Sequence, residues 1–285
     1  MPYIKVGEEN SGDIKLHYED HGSGKPVLMI HGFPLSGAAW EKQVPVLLAT
    51  GYRVITYDRR GFGKSSQPTV GYDYDTFAAD LDQLMTKLDL RDTMLVGHSM
   101  GTGEVTRYLA QYGSQRVDRA VFISPIPPFL LKTPDNPDGL DKSLFEGFQK
   151  SILSDRPAYL TQFLSTFYNY DLLKDKGVSE EAFRSSWNIA VGASAKGTYD
   201  CVATWMTDFR KDLSRIDVPA LIIHGTADRI LPYALTAPRM QAALKSSRLV
   251  PIEGAPHSLP WTHADLINRE LLDFIKAASV KRPAA

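Results

Sequence analysis

Residues 95–103 read Leu95-Val96-Gly97-His98-Ser99-Met100-Gly101-Thr102-Gly103. An apolar strand runs into a pinched turn that carries a serine, and a helix starts at once. Glycines stand two before and two after Ser99, the G-x-S-x-G spacing of a nucleophile elbow. In so sharp a turn, a side chain at either glycine would strike the neighbouring strand or helix. Ser99 is then held out at the strand end, and the backbone N–H of Met100 falls at a helix N-terminus, suited to stabilising an oxyanion. A Gly/Ser-rich strand–helix turn also serves packing alone, so the reading depends on partners for the serine.

Working outward, 14–20 alternates apolar and polar residues (Ile14, Leu16, Tyr18), as an antiparallel strand with one wet face does. The run 26–30 is continuously apolar, the mark of a central parallel strand, and ends in His31-Gly32-Phe33-Pro34. A helix is expected over 38–49, a strand over 52–57 and a helix over 75–88, whose apolar face is Phe77, Leu81, Leu84, Met85 and Leu88. Strands at 93–96 and 119–124 flank the elbow helix. From 125 to 215 the strand–helix rhythm stops. Prolines at 125, 127, 128, 134 and 137 give way to aromatic-rich helical stretches at 144–152, 159–168, 180–189 and 198–209. The rhythm resumes over 218–225 with a strand at 220–223, then a helix at 233–244, a strand at 248–252 and a helix at 266–278, followed by a fraying tail.

This pattern predicts an α/β protein with a mostly parallel sheet flanked by helices. The core is expected at 1–125 and 216–285, with 126–215 inserted as a helical cap or lid. At 285 residues, 43% hydrophobic and 23% charged, the chain has the composition of a soluble globular protein. Its formal net charge of -1 gives no reason to expect nucleic acid or an anionic membrane as a partner. The sole cysteine, Cys201, excludes an intrachain disulfide and favours a reducing compartment. No signal peptide or membrane-spanning run is visible, so a cytoplasmic location is expected.

A serine hydroxyl is a poor nucleophile near neutral pH. It needs a positioned base, and the base needs an orienting acid. In parallel sheets, ligands bind beyond the carboxyl ends of the strands, which directs attention to the loops there. Asp228 follows the strand at 220–223, and His257 follows the last strand in a turn able to swing an imidazole back toward the elbow. Serine, acid, histidine is the chain order of one known class of triad. Each residue alone is weak evidence; all three at the right strand ends are not. Of the other six histidines, His98 is expected to point away from the site, and His31 to hold its turn by hydrogen bonds. His17 and His21 precede the first parallel strand, His224 lies at a strand end, and His263 opens the last helix. The turn 31–34 should supply a second oxyanion donor, the N–H of Phe33.

Two look-alike motifs fail. Residues 61–65 (G-F-G-K-S) end like a P-loop, but Asp58 stands where its first glycine belongs. Residues 97–103 lack the G-x-G-x-x-G spacing of a dinucleotide site. No cluster has metal-ligand spacing, so neither metal nor cofactor is expected.

The sequence resembles the α/β-hydrolase family, and within it the cofactor-free, non-haem bacterial haloperoxidases, also called perhydrolases. The matching stretches are H-G-F-P-L-S-G-A-A-W at 31–40, Y-D-R-R-G-F-G-K-S-S at 57–66 and G-H-S-M-G-T-G-E-V at 97–105. Further matches are W-M-T-D-F-R at 205–210, I-D-V-P-A-L-I-I-H-G-T-A-D-R at 216–229 and E-G-A-P-H at 253–257. The pairing of the first with W-M-T-D-F-R is the most diagnostic; 132–196 carries no such match. The resemblance implies an eight-stranded sheet, a triad of Ser99, Asp228 and His257, and an oxyanion hole from the Phe33 and Met100 amides. It implies ester hydrolysis and perhydrolysis. In the latter a small carboxylic acid acylates Ser99, hydrogen peroxide attacks the acyl group, and the released peracid oxidises halide. It also implies a homo-oligomer, with a trimer as the form considered. Pro34 is associated in this group with perhydrolysis; by fixing its own φ and restricting Phe33 it offers a way to turn the Phe33 carbonyl toward peroxide.

Pro34, Phe129, Trp205, Ile230 and Leu259 lie in loops or lid where they are candidates for an apolar substrate pocket. An aspartate at 99 would be needed for haloalkane or epoxide chemistry, which the serine disfavours. The enzymatic alternative is a lactamase or carbon–carbon bond hydrolase on the same triad. The non-enzymatic one is a binding protein on a hydrolase scaffold.

Overall fold

The apolar runs at the centre of the chain become strands buried almost along their whole length, as a sheet covered on both faces requires. The structure, a computed structural model, describes residues 2–277. The strands are β1 (Tyr3–Glu9), β2 (Gly12–His21), β3 (Pro26–Ile30), β4 (Arg53–Tyr57), β5 (Thr93–His98), β6 (Val117–Ile123), β7 (Ala220–Gly225) and β8 (Ser247–Ile252). They form one eight-stranded sheet in the order β1-β2-β4-β3-β5-β6-β7-β8. Its β1–β2 and β2–β4 pairs are antiparallel and the rest parallel.

The helices before β6 are α1 (Val44–Ala49), α2 (Tyr74–Lys87) and α3 (Met100–Tyr112). Between β6 and β7 come α4 (Lys142–Tyr168), α5 (Tyr170–Leu173), α6 (Glu180–Val191), α7 (Ala195–Thr204) and α8 (Arg210–Leu213). The chain then adds α9 (Ala237–Ala243), α10 (Leu259–Thr262) and α11 (Ala264–Lys276). Strand alternation divides the core in two. Leu28, Ile30, Leu95, Phe122 and Ile222 pack against Leu81, Leu84, Val105, Leu109 and Met240 of α2, α3 and α9. Val27, Met29, Val96, Val121 and Ile223 face Leu47 of α1 and Ile267 and Leu271 of α11. A third cluster ties α4, α6 and α7 to Phe33, Phe62 and Met100 at the carboxyl ends of the strands.

Several boundaries differ from the sequence expectation for identifiable reasons. The helix expected over 38–49 is a 3-10 turn, Gly37–Trp40, and then α1, which starts with Pro45 in its first turn. A proline tolerates the first turn of a helix but not its interior. Pro238 splits the helix expected over 233–244 in the same way, into a 3-10 turn (Tyr233–Leu235) and α9. The stretches 144–152 and 159–168 are two arms of α4, broken at Asp155 (φ −157°, ψ 90°) ahead of Pro157. The Asp155 carboxylate accepts the Ala158 N–H at 3.0 Å and so caps the second arm. The stretch 198–209 ends early, at Thr204. β1 was not anticipated. The tail after 277, including the last residue expected in the final helix, lies outside the described residues. Among the described residues no helix is long and apolar enough to cross a membrane.

Candidate active site

Ser99 sits between β5 and α3 with φ 53° and ψ −120°, a left-handed backbone that costs a non-glycine residue about 1–3 kcal/mol. The flanking glycines make the turn possible. A Cβ on Gly97 would lie 2.7 Å from the Gly101 carbonyl oxygen, and one on Gly101 would lie 2.4 Å from that of Ile30. The Ser99 N–H donates to the Ile123 carbonyl at 2.9 Å, which anchors the elbow to β6.

Asp228 lies in the loop after β7 and His257 in the loop after β8, and they meet: His257 Nδ1 is 2.6 Å from Asp228 Oδ2, with neither side chain exposed. The other carboxylate oxygen accepts the Ile230 and Leu231 N–H groups, both at 2.8 Å. Burial acts against the ionised carboxyl. The His257 charge and the hydrogen bonds from His224 and His257 outweigh it, and Asp228 is held well below the usual carboxylate range. Because a carboxylate only accepts, His257 Nδ1 carries hydrogen, leaving Nε2 as the free ring nitrogen. That nitrogen has no hydrogen-bond partner among the described residues. The His257 carbonyl accepts from His98 Nε2 at 3.0 Å and from the Ser124 hydroxyl at 3.2 Å.

The His98 ring, one residue before Ser99, lies 5.1 Å from that of His257, which brings the elbow beside it. Burial, and then the neighbouring His257, press His98 down to about 3. His98 is thus a neutral prop. His31 holds its own turn. Its Nε2 accepts the Arg59 N–H at 3.0 Å, so Nδ1 is the donor to the Gly32 carbonyl at 2.8 Å. That turn packs directly on the elbow, for a Cβ on Gly32 would lie 2.9 Å from Ser99 Cβ. Among the described residues, neither the Phe33 nor the Met100 amide is used by another hydrogen bond.

Ser99 opens into a cavity of about 510 Å³. Of the candidate pocket residues, Trp205 and Ile230 lie on its wall, as does Phe33. Three do not lie on this wall, contrary to expectation. Leu259 is fully buried in the core cluster beneath α11. Phe129 is buried under the guanidinium of Arg210, which stacks 4.8 Å from its ring. Pro34 is buried in the tight turn closed by the Leu35 N–H on the Gly32 carbonyl; its bond to Phe33 is cis. Sequence reasoning missed the wall residues of α4, Phe148 from one arm and Tyr159 and Phe163 from the other. The signal was present as aromatic helical spacing, but spacing does not separate a ring facing a cavity from one facing a core. It also passed over His224, whose Nε2 is 2.9 Å from Asp228 Oδ2.

Fold and geometry agree with the match of the α/β hydrolase fold family to residues 25–264, and the chain belongs to that family. Its relatives are non-haem haloperoxidases and esterases. A protein of Synechocystis sp., provisionally named a non-heme chloroperoxidase, is 63% identical, the match covering 97% of this chain and all of that one. A bifunctional esterase/perhydrolase of Acinetobacter calcoaceticus is 37% identical over 93% of this chain and 97% of its own. The crystal structure of a bromoperoxidase from Bacillus anthracis superposes with a TM-score of 0.92 at 48% identity, covering 96% of this chain and 99% of that one.

Proposed function

We propose that this protein is a serine hydrolase that works through an acyl-enzyme, with esterase and perhydrolase activity. The observation that carries the reading is the 2.6 Å bond between Asp228 and His257, which leaves Nε2 free on a ring 5.1 Å from that of His98, the residue before an elbow serine that faces an apolar cavity. His257 takes the Ser99 proton as Oγ attacks the acyl carbon, and Asp228 stabilises the imidazolium that results. The Phe33 and Met100 amides bind the oxyanion. His257 then gives the proton to the leaving alcohol, or to the hydroxide lost as water when the substrate is a carboxylic acid. The acyl group waits on Ser99 in the cavity, walled by the cap at 126–215.

Water attacking that ester returns a carboxylic acid. Hydrogen peroxide attacking it, with its proton passing to His257, returns a peracid. Free peracid oxidises bromide or chloride to the hypohalous acid and reverts to the carboxylic acid, so halogenation needs no metal or halide-binding step in this scheme. The names of the haloperoxidase and esterase/perhydrolase relatives support the pair of activities.

One substitution tests the whole scheme. Ser99→Ala is expected to lower both the hydrolysis of a short-chain aryl ester and the acetate- and peroxide-dependent bromination of a dye by at least about a thousandfold. Bromination that persists in Ser99→Ala, at unchanged rate, sinks it.

A further inference from the structure

Asp228 Oδ2 has two histidine partners, and only His257 has a part in the scheme above. His224 lies in β7, four residues before Asp228, and neither side chain is exposed. Its Nε2 faces two atoms, Asp228 Oδ2 at 2.9 Å and the Leu231 carbonyl oxygen at 3.1 Å. Both can only accept, so Nε2 carries hydrogen and donates to them. On the other side of the ring, Nδ1 meets the Thr236 hydroxyl at 3.3 Å, and the Tyr233 ring packs edge-on with its centroid 5.6 Å away. The imidazole is therefore fixed in one orientation and one hydrogen arrangement.

The carboxylate receives four N–H donors: two backbone amides on Oδ1, and His224 with His257 on Oδ2. Three of them do not change during the reaction. Only His257 gains a proton. A donor on the very oxygen that receives His257 does two things that a buried apolar residue cannot. It pins the rotation of the carboxylate, so that Oδ2 meets His257 Nδ1, and it draws off part of the charge that would otherwise bear on His257 alone.

We propose that His224 is a positioning residue for the reaction, aligning Asp228 on His257 and moderating its pull on the His257 proton. The proposal rests on the Ser99 acyl-enzyme reading. The titratable groups around the pair are His98 from β5, Asp228 from the loop after β7, and Tyr233 from the turn beyond it; the cap contributes the uncharged Phe167 ring against His257. With the His224 donor removed, the carboxylate charge is concentrated on His257, the imidazolium is favoured, and more of the enzyme is protonated at a given acid pH.

The test measures kcat and KM for a short-chain aryl ester from pH 4 to 9 in wild type, Ser99→Ala, His224→Leu, His224→Gln and His224→Asn, with a thermal melt of each. The Gln amide reaches the place of Nε2–H and the shorter Asn amide does not. His224→Leu is expected to lose about tenfold to a hundredfold in kcat, the worth of a hydrogen bond to a charged group, with KM within about twofold. Its acid limb should move up by roughly half to one pH unit. His224→Gln should regain most of the rate and the wild-type limb, and His224→Asn should behave like His224→Leu. Should His224→Leu not fold, the contrast between Gln and Asn decides.

A limb unmoved in His224→Leu, or Gln no better than Leu and Asn, overturns the proposal while turnover still depends on Ser99. Turnover that survives Ser99→Ala overturns the acyl-enzyme reading and the proposal with it.

Discussion

The floor and the roof of the cavity are held in different ways. The floor is Ser99 and Phe33, backed at the strand ends by the buried Asp228 and His257 and fixed by directional bonds such as those at 2.6 Å on Asp228 and 3.0 Å on His98. The roof is a set of rings. Trp205 packs 5.0 Å from Phe33, 6.1 Å from Phe148 and 6.4 Å from Phe163, centroid to centroid. Hydrogen bonds set angles and tolerate almost no substitution. Ring packing sets volume and tolerates a good deal, at a cost in stability. On the proposed function, the same cavity joins a surface specialised for one chemistry to a surface free to choose the acyl group.

The largest effect expected from breaking this contrast is on the floor. Asp228→Asn offers His257 an amide where it had a carboxylate and reverses the favoured ring tautomer, so kcat/KM for an aryl ester should fall about 10⁴-fold. A loss under tenfold means that the floor does not depend on directional bonding. On the roof, Trp205→Ala should move the best aryl ester to a longer acyl chain, by about tenfold in relative kcat/KM, and cost about 3 kcal/mol in a denaturant melt. An unchanged chain-length profile removes Trp205 from the acyl wall.

A third effect, read only in stability against pH, sharpens the boundary between the two surfaces. His98 is buried and depressed from 6.5 to about 3, so the unfolded chain binds a proton there that the native protein refuses. Stability from this group is intact above pH 6.5 and falls as the pH drops toward 3, by up to about 1.4 kcal/mol per pH unit. His98→Gln should flatten that slope by this amount in urea melts run from pH 6.5 down to 4. An identical slope in both proteins assigns the acid sensitivity elsewhere, with the buried His31, also depressed by burial and by Arg59, as the next group to replace.

The two surfaces also differ in how far they can be read in advance. The floor announces itself because its constraints fall on residue type: glycine at 97 and 101, serine between them, an acid and a histidine after later strands. The parallel core announces itself through unbroken apolar runs. The roof does neither. Phe129 and Phe163 look alike in sequence, yet one lies under Arg210 and the other on the cavity wall. Leu259 lies two residues after His257 in the chain but turns into the core with α10. β1 escaped notice because only Ile4 and Val6 are buried in it, and a register shift between Lys5 and Gly7 breaks the alternation. His224 was passed over because a histidine closing a strand says nothing about how the next loop folds back. It takes the Ile230 and Leu231 amides on Asp228 to return the carboxylate to β7.

The two bonds on the His257 carbonyl have a consequence for how the protein fails under heat. One comes from His98 in β5 and the other from Ser124 just past β6, so the loop that carries His257 is riveted to two central strands. Both bonds must break before that loop can fray, which raises the cost of its local opening. Loss of turnover during a thermal hold is then expected to lag behind the opening of loops without such ties, and residual activity serves as a clock for the lifetime of this one.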